Sequence, residues 1–299
     1  MSAVAGKQLE QLRRQARRRE LLAVNAKRLL IIVIIIVTLA PGYFIVLASL
    51  QPGSSFFAGT LVPKNLTLDN YRSLLTDTPF PTWIKNSLIV CTAVATLSTI
   101  CTGLMAYAFA RLRFVGRRYG LISLLIVQMF PITVAVPAYY FFMLKVSNWT
   151  SNHVGLETYS GLILLLTGSG MAFYAWLFKG YLDNSPVELE EAAFVDGATR
   201  LKVLRYVVLP IVRPMVAVVF LLVFIATYSE YLISSIVITA VQAKYTLPLG
   251  LRGFIFNRFT ENWSEFAAAA VIGSLPLMIV FLLTQRYLVS GLARGALKG

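Results

Sequence analysis

Glu188, Glu190, Glu191 and Asp196, followed by Arg200, Lys202 and Arg205, fall in one stretch, SPVELEEAAFVDGATRLKVLRYVVLP, residues 185–210. Clustered carboxylates could serve acid–base catalysis or bind a metal, but both chemistries need partners of the right type nearby. The 13 acids of the chain form no catalytic constellation, and His153 is the single histidine, so neither a histidine metal site nor a catalytic triad is expected. No G-x-x-x-x-G-K-[ST] loop occurs, so the chain is not expected to bind ATP through a phosphate loop. Cys91 and Cys101 lie about 15 Å apart along a helix, too far to pair, and read as small packing residues. What is left for 185–210 is either a surface loop that merely links two spans or a docking element for another protein, and two capped helices with matched charges favour docking.

The local signals shape that stretch into a module. Ser185-Pro186-Val187-Glu188 fits a capping box with Pro at the first helical position. The helix through ELEEAAFV then ends at Asp196-Gly197, where glycine accepts positive φ. A second short helix, ATRLKVLRYVV, carries Leu201, Leu204 and Val208 on one face and is expected to stop at Pro210. Ala192 and Ala193 leave one spot nearly flat, open to the backbone of a partner.

Around the module the chain is apolar: 58% of its 299 residues are hydrophobic and 13% are charged. A transmembrane helix needs about 20 apolar residues, and six segments qualify: 29–50, 86–110, 119–144, 158–178, 214–243 and 266–285. The expected class is all-α, a polytopic bundle of six transmembrane helices, with Pro131, Pro137 and Pro276 as kinks. Alternate segments between spans hold 8, 4, 5 and 3 of the 27 Lys and Arg residues, leaving 7 on the other side. The positive-inside rule therefore places both termini in the cytoplasm, with residues 1–28 as a basic tail, 29–289 as the membrane domain and 290–299 as a C-terminal tail. Dispersed charge of this kind, +14 in total, does not make a nucleic-acid footprint.

A family resemblance rests on particular residues. Glu191-Ala192-Ala193, then Gly197 and Val207-x-Leu209-Pro210, match the EAA loop of the membrane subunits of bacterial ABC importers. The likeness extends to NSL (86–88), AYAFARLRF (106–114), QMFP (128–131), LPLGL (247–251) and the C-terminal run from Phe266, and is greatest to maltose/maltodextrin permeases. It implies a six-helix permease of the type I importer fold in a bacterial inner membrane, without an ATPase site of its own. The implied partners are a companion permease, a homodimeric cytoplasmic ATPase that holds ATP and Mg, and an extracytoplasmic sugar-binding protein. The module 181–210 would dock on the ATPase through Glu190, Glu191, Ala192, Ala193, Asp196 and Gly197, with Leu209 and Pro210 passing motion to the fifth span. The tail, including Gly295, Lys298 and Gly299, would also reach the ATPase.

On the outer side, loop 244–265 carries Phe254, Phe256, Phe259 and Trp263, large anchors of the sort interfaces favour. The resemblance implies that its tip, Asn257 and Arg258, enters the binding protein. Glu230 interrupts the fifth span near mid-membrane, where a charge costs roughly 2.5–3.5 kcal/mol. With Thr227, Tyr228 and Ser234 it is expected to line the translocation path for a carbohydrate, or to pair structurally. A permease for another sugar, of trehalose or glycerol-phosphate type, is the alternative; an ATP-independent carrier would not need the EAA module, and a membrane enzyme would need the missing catalytic groups.

Overall fold

Apolar runs without charge close their backbone hydrogen bonds within helices, which is one of the two ways a chain can cross lipid. The computed structural model describes residues 2–52, 65–256 and 262–296, and no strand occurs among them. In chain order the helices are α1 (Ser2–Ser49), α2 (Asp69–Thr76), α3 (Phe80–Arg111), α4 (Arg117–Gln128), α5 (Ile132–Trp149), α6 (Tyr159–Gly168) and α7 (Met171–Asp183). They continue as α8 (Glu188–Val195), α9 (Arg200–Val203), α10 (Leu209–Tyr228), α11 (Leu232–Val237), α12 (Leu247–Phe256) and α13 (Trp263–Ala296). Four helical segments are each long and apolar enough to cross a membrane: Glu20–Ser49, Phe80–Arg111, Arg200–Tyr228 and Trp263–Tyr287. The pairs α4–α5 and α6–α7 bring the number of crossings to six if each bent pair is one span.

Helix α3 is the hub, packing against α6, α7 and α10. Small residues on it, among them Ala95 and Ala106, are fully buried, and they let Phe178, Val219 and Phe224 of its neighbours approach closely. α13 lies against α1 and α10 at the edge of this core.

Four features differ from the sequence expectation. Two spans are broken: α4 and α5 meet at 96° where only a kink was expected, and α6 and α7 at 50° in a span expected to be continuous. At the first break Pro131 has ψ 123 and begins a new helix; a proline also disfavours the α conformation in the residue before it. The other two prolines, Pro137 and Pro276, stay inside single helices, α5 and α13. Ser185 is not a cap: α8 starts at Glu188 without a side-chain cap, and the Ser185 hydroxyl donates to the Tyr181 carbonyl at 3.1 Å. The second helix of the module does not stop at Pro210 but runs through a π-helical turn, Leu204–Val208, into α10. Such a turn adds one residue to the hydrogen-bond ring, which makes room for a residue with no N–H to give. Finally, the expected fifth span 214–243 ends at Tyr228 and restarts as the short α11.

Candidate functional site

The module is fixed to the bundle by one ion pair. Arg111, the last residue of α3, places its Nε 2.7 Å from the Glu190 carboxylate, and the two side chains are 12% and 6% exposed. The same guanidinium donates to the carbonyls of Leu182 (3.0 Å) and Ser185 (3.3 Å). Those carbonyls lie at and just past the end of α7, where the helix leaves acceptors unfilled. Arg111 therefore joins α3, α7 and α8 at a single point. Gly197 ends α8 with φ +80, a conformation that costs an L-residue about 1–2 kcal/mol. The return of the chain is closed by the Ala198 N–H on the Ala193 carbonyl at 3.0 Å.

What the module presents outward is mixed. Glu188, Glu191, Ala192 and Asp196 are exposed, beside the exposed apolar Leu189, Phe194, Val195 and Leu201. Ala193 is half-buried and packs on the core. Apolar side chains at 42% to 88% exposure beside carboxylates make a surface suited to a partner protein and poorly suited to water.

Comparison with known proteins places the chain in a family. The family described as "Binding-protein-dependent transport system inner membrane component" matches residues 99–294. The chain belongs to that family. A relative named maltose/maltodextrin transport system permease protein MalG, from Photorhabdus laumondii, is 38% identical over 278 residues, covering 87% of this chain and 91% of the relative. The protein of the same name from Vibrio vulnificus is 39% identical over 272 residues, covering 87% and 90%. A bacterial ABC transporter for import of the acidic polysaccharide alginate has a chain of similar fold, with TM-score 0.73 and 22% identity, over 90% of this chain and 96% of that one.

The permease keeps its polar groups at two further levels. Within the membrane domain, Glu230 is not on a continuous helical face. It sits in the break between α10 and α11, and its carboxylate accepts the N–H groups of Ile233 and Ser234 and the Ser234 hydroxyl. An anion at the start of a helix satisfies orphan donors and complements the helix dipole. Tyr228 is buried and donates to the Gly273 carbonyl at 2.7 Å, while Ser234 is 1% exposed. Thr227 is partly exposed. The expected polar stripe is thus divided: Glu230 and Ser234 cap α11, and Tyr228 ties α10 to α13.

At the opposite end from the module, the segment after α11 is strapped down by side chains. Trp83 Nε1 donates to the Gln242 carbonyl (3.0 Å), Asn86 Nδ2 to Ala243 and Tyr245 (2.8 and 3.0 Å), and the Leu247 N–H to the Ser87 hydroxyl (2.7 Å). Glu157, at φ 58, accepts the Thr239 and Ala240 N–H groups and the Thr239 hydroxyl on one carboxylate oxygen. Partial burial opposes its charge, but these bonds, with Lys244 nearby, hold the carboxyl below the usual carboxylate range. The strap positions α12, where a Cβ on Gly250 would come within 2.2 Å of the Trp83 ring, so only glycine fits without rearrangement.

Of the residues assigned to binding-protein contact, Phe254 turns inward onto Trp83, ring centroids 6.2 Å apart, and Trp263 packs edge-on to Phe266. Phe256 ends the backbone of α12; Asn257 and Arg258, and with them Phe259, lie outside the described residues. Gly295 belongs to the backbone of α13, and Lys298 and Gly299 lie outside the described residues. Arg111, Glu157, Trp83 and Asn86 were missed as site residues. The first sits inside the quoted AYAFARLRF and Asn86 opens the quoted NSL, but nothing local in the sequence names their partners.

Proposed function

We propose that this permease is the transmembrane subunit of an ATP-driven importer for carbohydrate of the maltodextrin class, in a bacterial cytoplasmic membrane, with both termini inside. It forms the translocation path with a companion permease, receives the sugar from an extracytoplasmic binding protein and docks on a homodimeric ATPase whose subunits hold ATP and Mg. The chain supplies positioning and coupling, and hydrolysis takes place on the partner. The observation that carries this reading is the projecting module 181–210, exposed at Glu191, Ala192 and Asp196 yet pinned at Glu190 to α3 and α7. Closure of the ATPase pair on α8 would be passed by Arg111 to α3, and by the continuous helix through Leu209 and Pro210 to α10. The outer loop, from Phe254 through Asn257 and Arg258 to Trp263, meets the binding protein, with Phe254 and Trp83 as its base. The tail with Gly295, Lys298 and Gly299 runs on toward the ATPase. Likeness to the two maltose/maltodextrin permeases supports the choice of sugar.

The test is reconstitution with the companion permease, ATPase and binding protein in vesicles, followed by uptake of a panel of labelled sugars. Uptake of maltodextrins that needs both ATP and the binding protein is the expected result. Uptake of a different sugar alone would keep the importer and change its cargo; uptake without ATP would overturn it.

A further inference from the structure

The two broken spans are joined by a single side chain. Gln128, the last residue of α4, donates from Nε2 to the Ser169 carbonyl at 3.2 Å and accepts the Phe173 N–H on Oε1 at 3.1 Å. Ser169 and Gly170 are the break between α6 and α7, so the amide at one break satisfies backbone groups at the other. From α3, the Ser98 hydroxyl donates to the Thr167 carbonyl at 3.2 Å beside the same break. The Thr167 hydroxyl has no protein partner.

Depth follows from helix length. α4 has 12 residues, opening with the basic pair Arg117 and Arg118, and α7 has 13 with Lys179 near its end. At ~1.5 Å per residue these lengths are about 18 and 20 Å, so both breaks fall near the middle of a hydrocarbon core ~30 Å thick.

Their exposure is the decisive point. Gln128, Met129, Phe130, Pro131, Gly168 and Ser169 are all exposed on this subunit, Met129 at 81%. A Cβ on Gly168 would meet nothing within 4 Å. Irregular backbone and an exposed amide at membrane depth are tolerated only where protein covers them or water reaches them, never against lipid. An exposed amide beside exposed aromatic rings, here Phe130 and Phe173, suits a hydroxyl-rich, partly apolar solute.

We propose that the paired breaks at 128–131 and 168–170 form a water-accessible station on the translocation path, with Gln128 as the residue that holds them together and offers its amide to a polyhydroxylated solute. The class of solute rests on the function proposed above; the water access does not. The path therefore runs past α4 and α6 of this subunit, a place the sequence reading, which looked to Glu230, did not assign.

The test uses the whole reconstituted transporter with Cys101→Ser as background and Ser169→Cys, Met129→Cys or Leu283→Cys added. A charged, membrane-impermeant thiol reagent reacts with the thiolate, and each unit by which an apolar setting raises a thiol pKa slows it about tenfold. Cysteine at 169 and 129 should react at least ~10-fold faster than at 283, on the apolar face of α13. Equal rates at all three positions would mean a dry seam and overturn the station. Maltotriose with binding protein and ATP should slow labelling at 169; unchanged labelling during active uptake would overturn the contact with the solute. Fast labelling in a transporter that imports none of the sugars tried would keep the station and count against the sugar-importer reading instead. Gln128→Leu should abolish most uptake while the four proteins still co-purify, and full uptake in that variant would remove Gln128 from the station.

Discussion

Removing the Glu190 carboxylate alone strands the Arg111 guanidinium, which is 12% exposed and has only the Leu182 and Ser185 carbonyls left to it. Leaving one charge of a buried pair uncompensated costs about 3–5 kcal/mol, whereas removing both is much cheaper. Glu190→Ala should therefore lower the thermal stability of the purified complex more than the double variant Arg111→Met with Glu190→Met. It should also leave ATP hydrolysis poorly coupled to uptake. Additive losses in a double-mutant cycle would show that the pair does not act as a unit. Gly197 poses a different question, since a Cβ there meets nothing within 4 Å and only φ +80 is restrictive. Gly197→Asn, which tolerates positive φ, should keep more coupled uptake than Gly197→Val, whose branched side chain does not. The reverse order, measured as sugar imported per ATP, would place the constraint in a partner's surface. The sequence announced Gly197 through Asp-Gly at a helix end. It could not announce that Glu190 faces inward while Glu191 faces out, because adjacent acids look alike until α3 supplies Arg111.

At the level of elements, the six apolar runs were legible because membrane helices need length and hydrophobicity and little else. Breaks were not, because they depend on partners distant in sequence. Gln128 satisfies Ser169 and Phe173 from another span, and Glu230 caps α11, so an acid within an apolar run signalled a restart where a path-lining charge or a structural pair was expected. Glu230→Gln keeps one acceptor oxygen where the carboxylate has two, so α11 should start less firmly. Uptake should slow while assembly persists; unchanged uptake and ATPase rates would make the cap dispensable. The strap beyond α11 carries a pH signature. Because the Glu157 pKa is depressed, its contribution is fully present above the ordinary glutamate value near 4.5 and is lost as pH falls through the lower, folded value. Trp83 donates into the strap, so its fluorescence should change over that acid range in the parent and be flat there in Glu157→Gln. Gly250→Ala should disturb the same strap at neutral pH, costing about 1–3 kcal/mol by overpacking against Trp83.

On the scale of the whole molecule, the subunit exposes apolar helix faces that a lone chain in water could not. The Glu20–Ser49 span has none of its apolar window buried, and α13 shows Met278, Ile279, Leu282 and Leu283 outward. Lipid and the companion permease must cover these faces, while the module at one end and the strap with α12 at the other stay free for soluble partners. In the function proposed above, coupling across this distance would use two routes from α8, one through Arg111 into α3 and one through the π-helical turn into α10. The measurement that tests this most directly compares wild type with Gly197→Asp in sealed vesicles containing the companion permease, ATPase and binding protein, following labelled maltotriose and phosphate release together. Wild type should import sugar only with ATP and binding protein present, and Gly197→Asp should stay in the membrane yet import little, with its ATPase detached or insensitive to the binding protein. Undiminished, ATP-dependent import by Gly197→Asp would contradict the role given to the module.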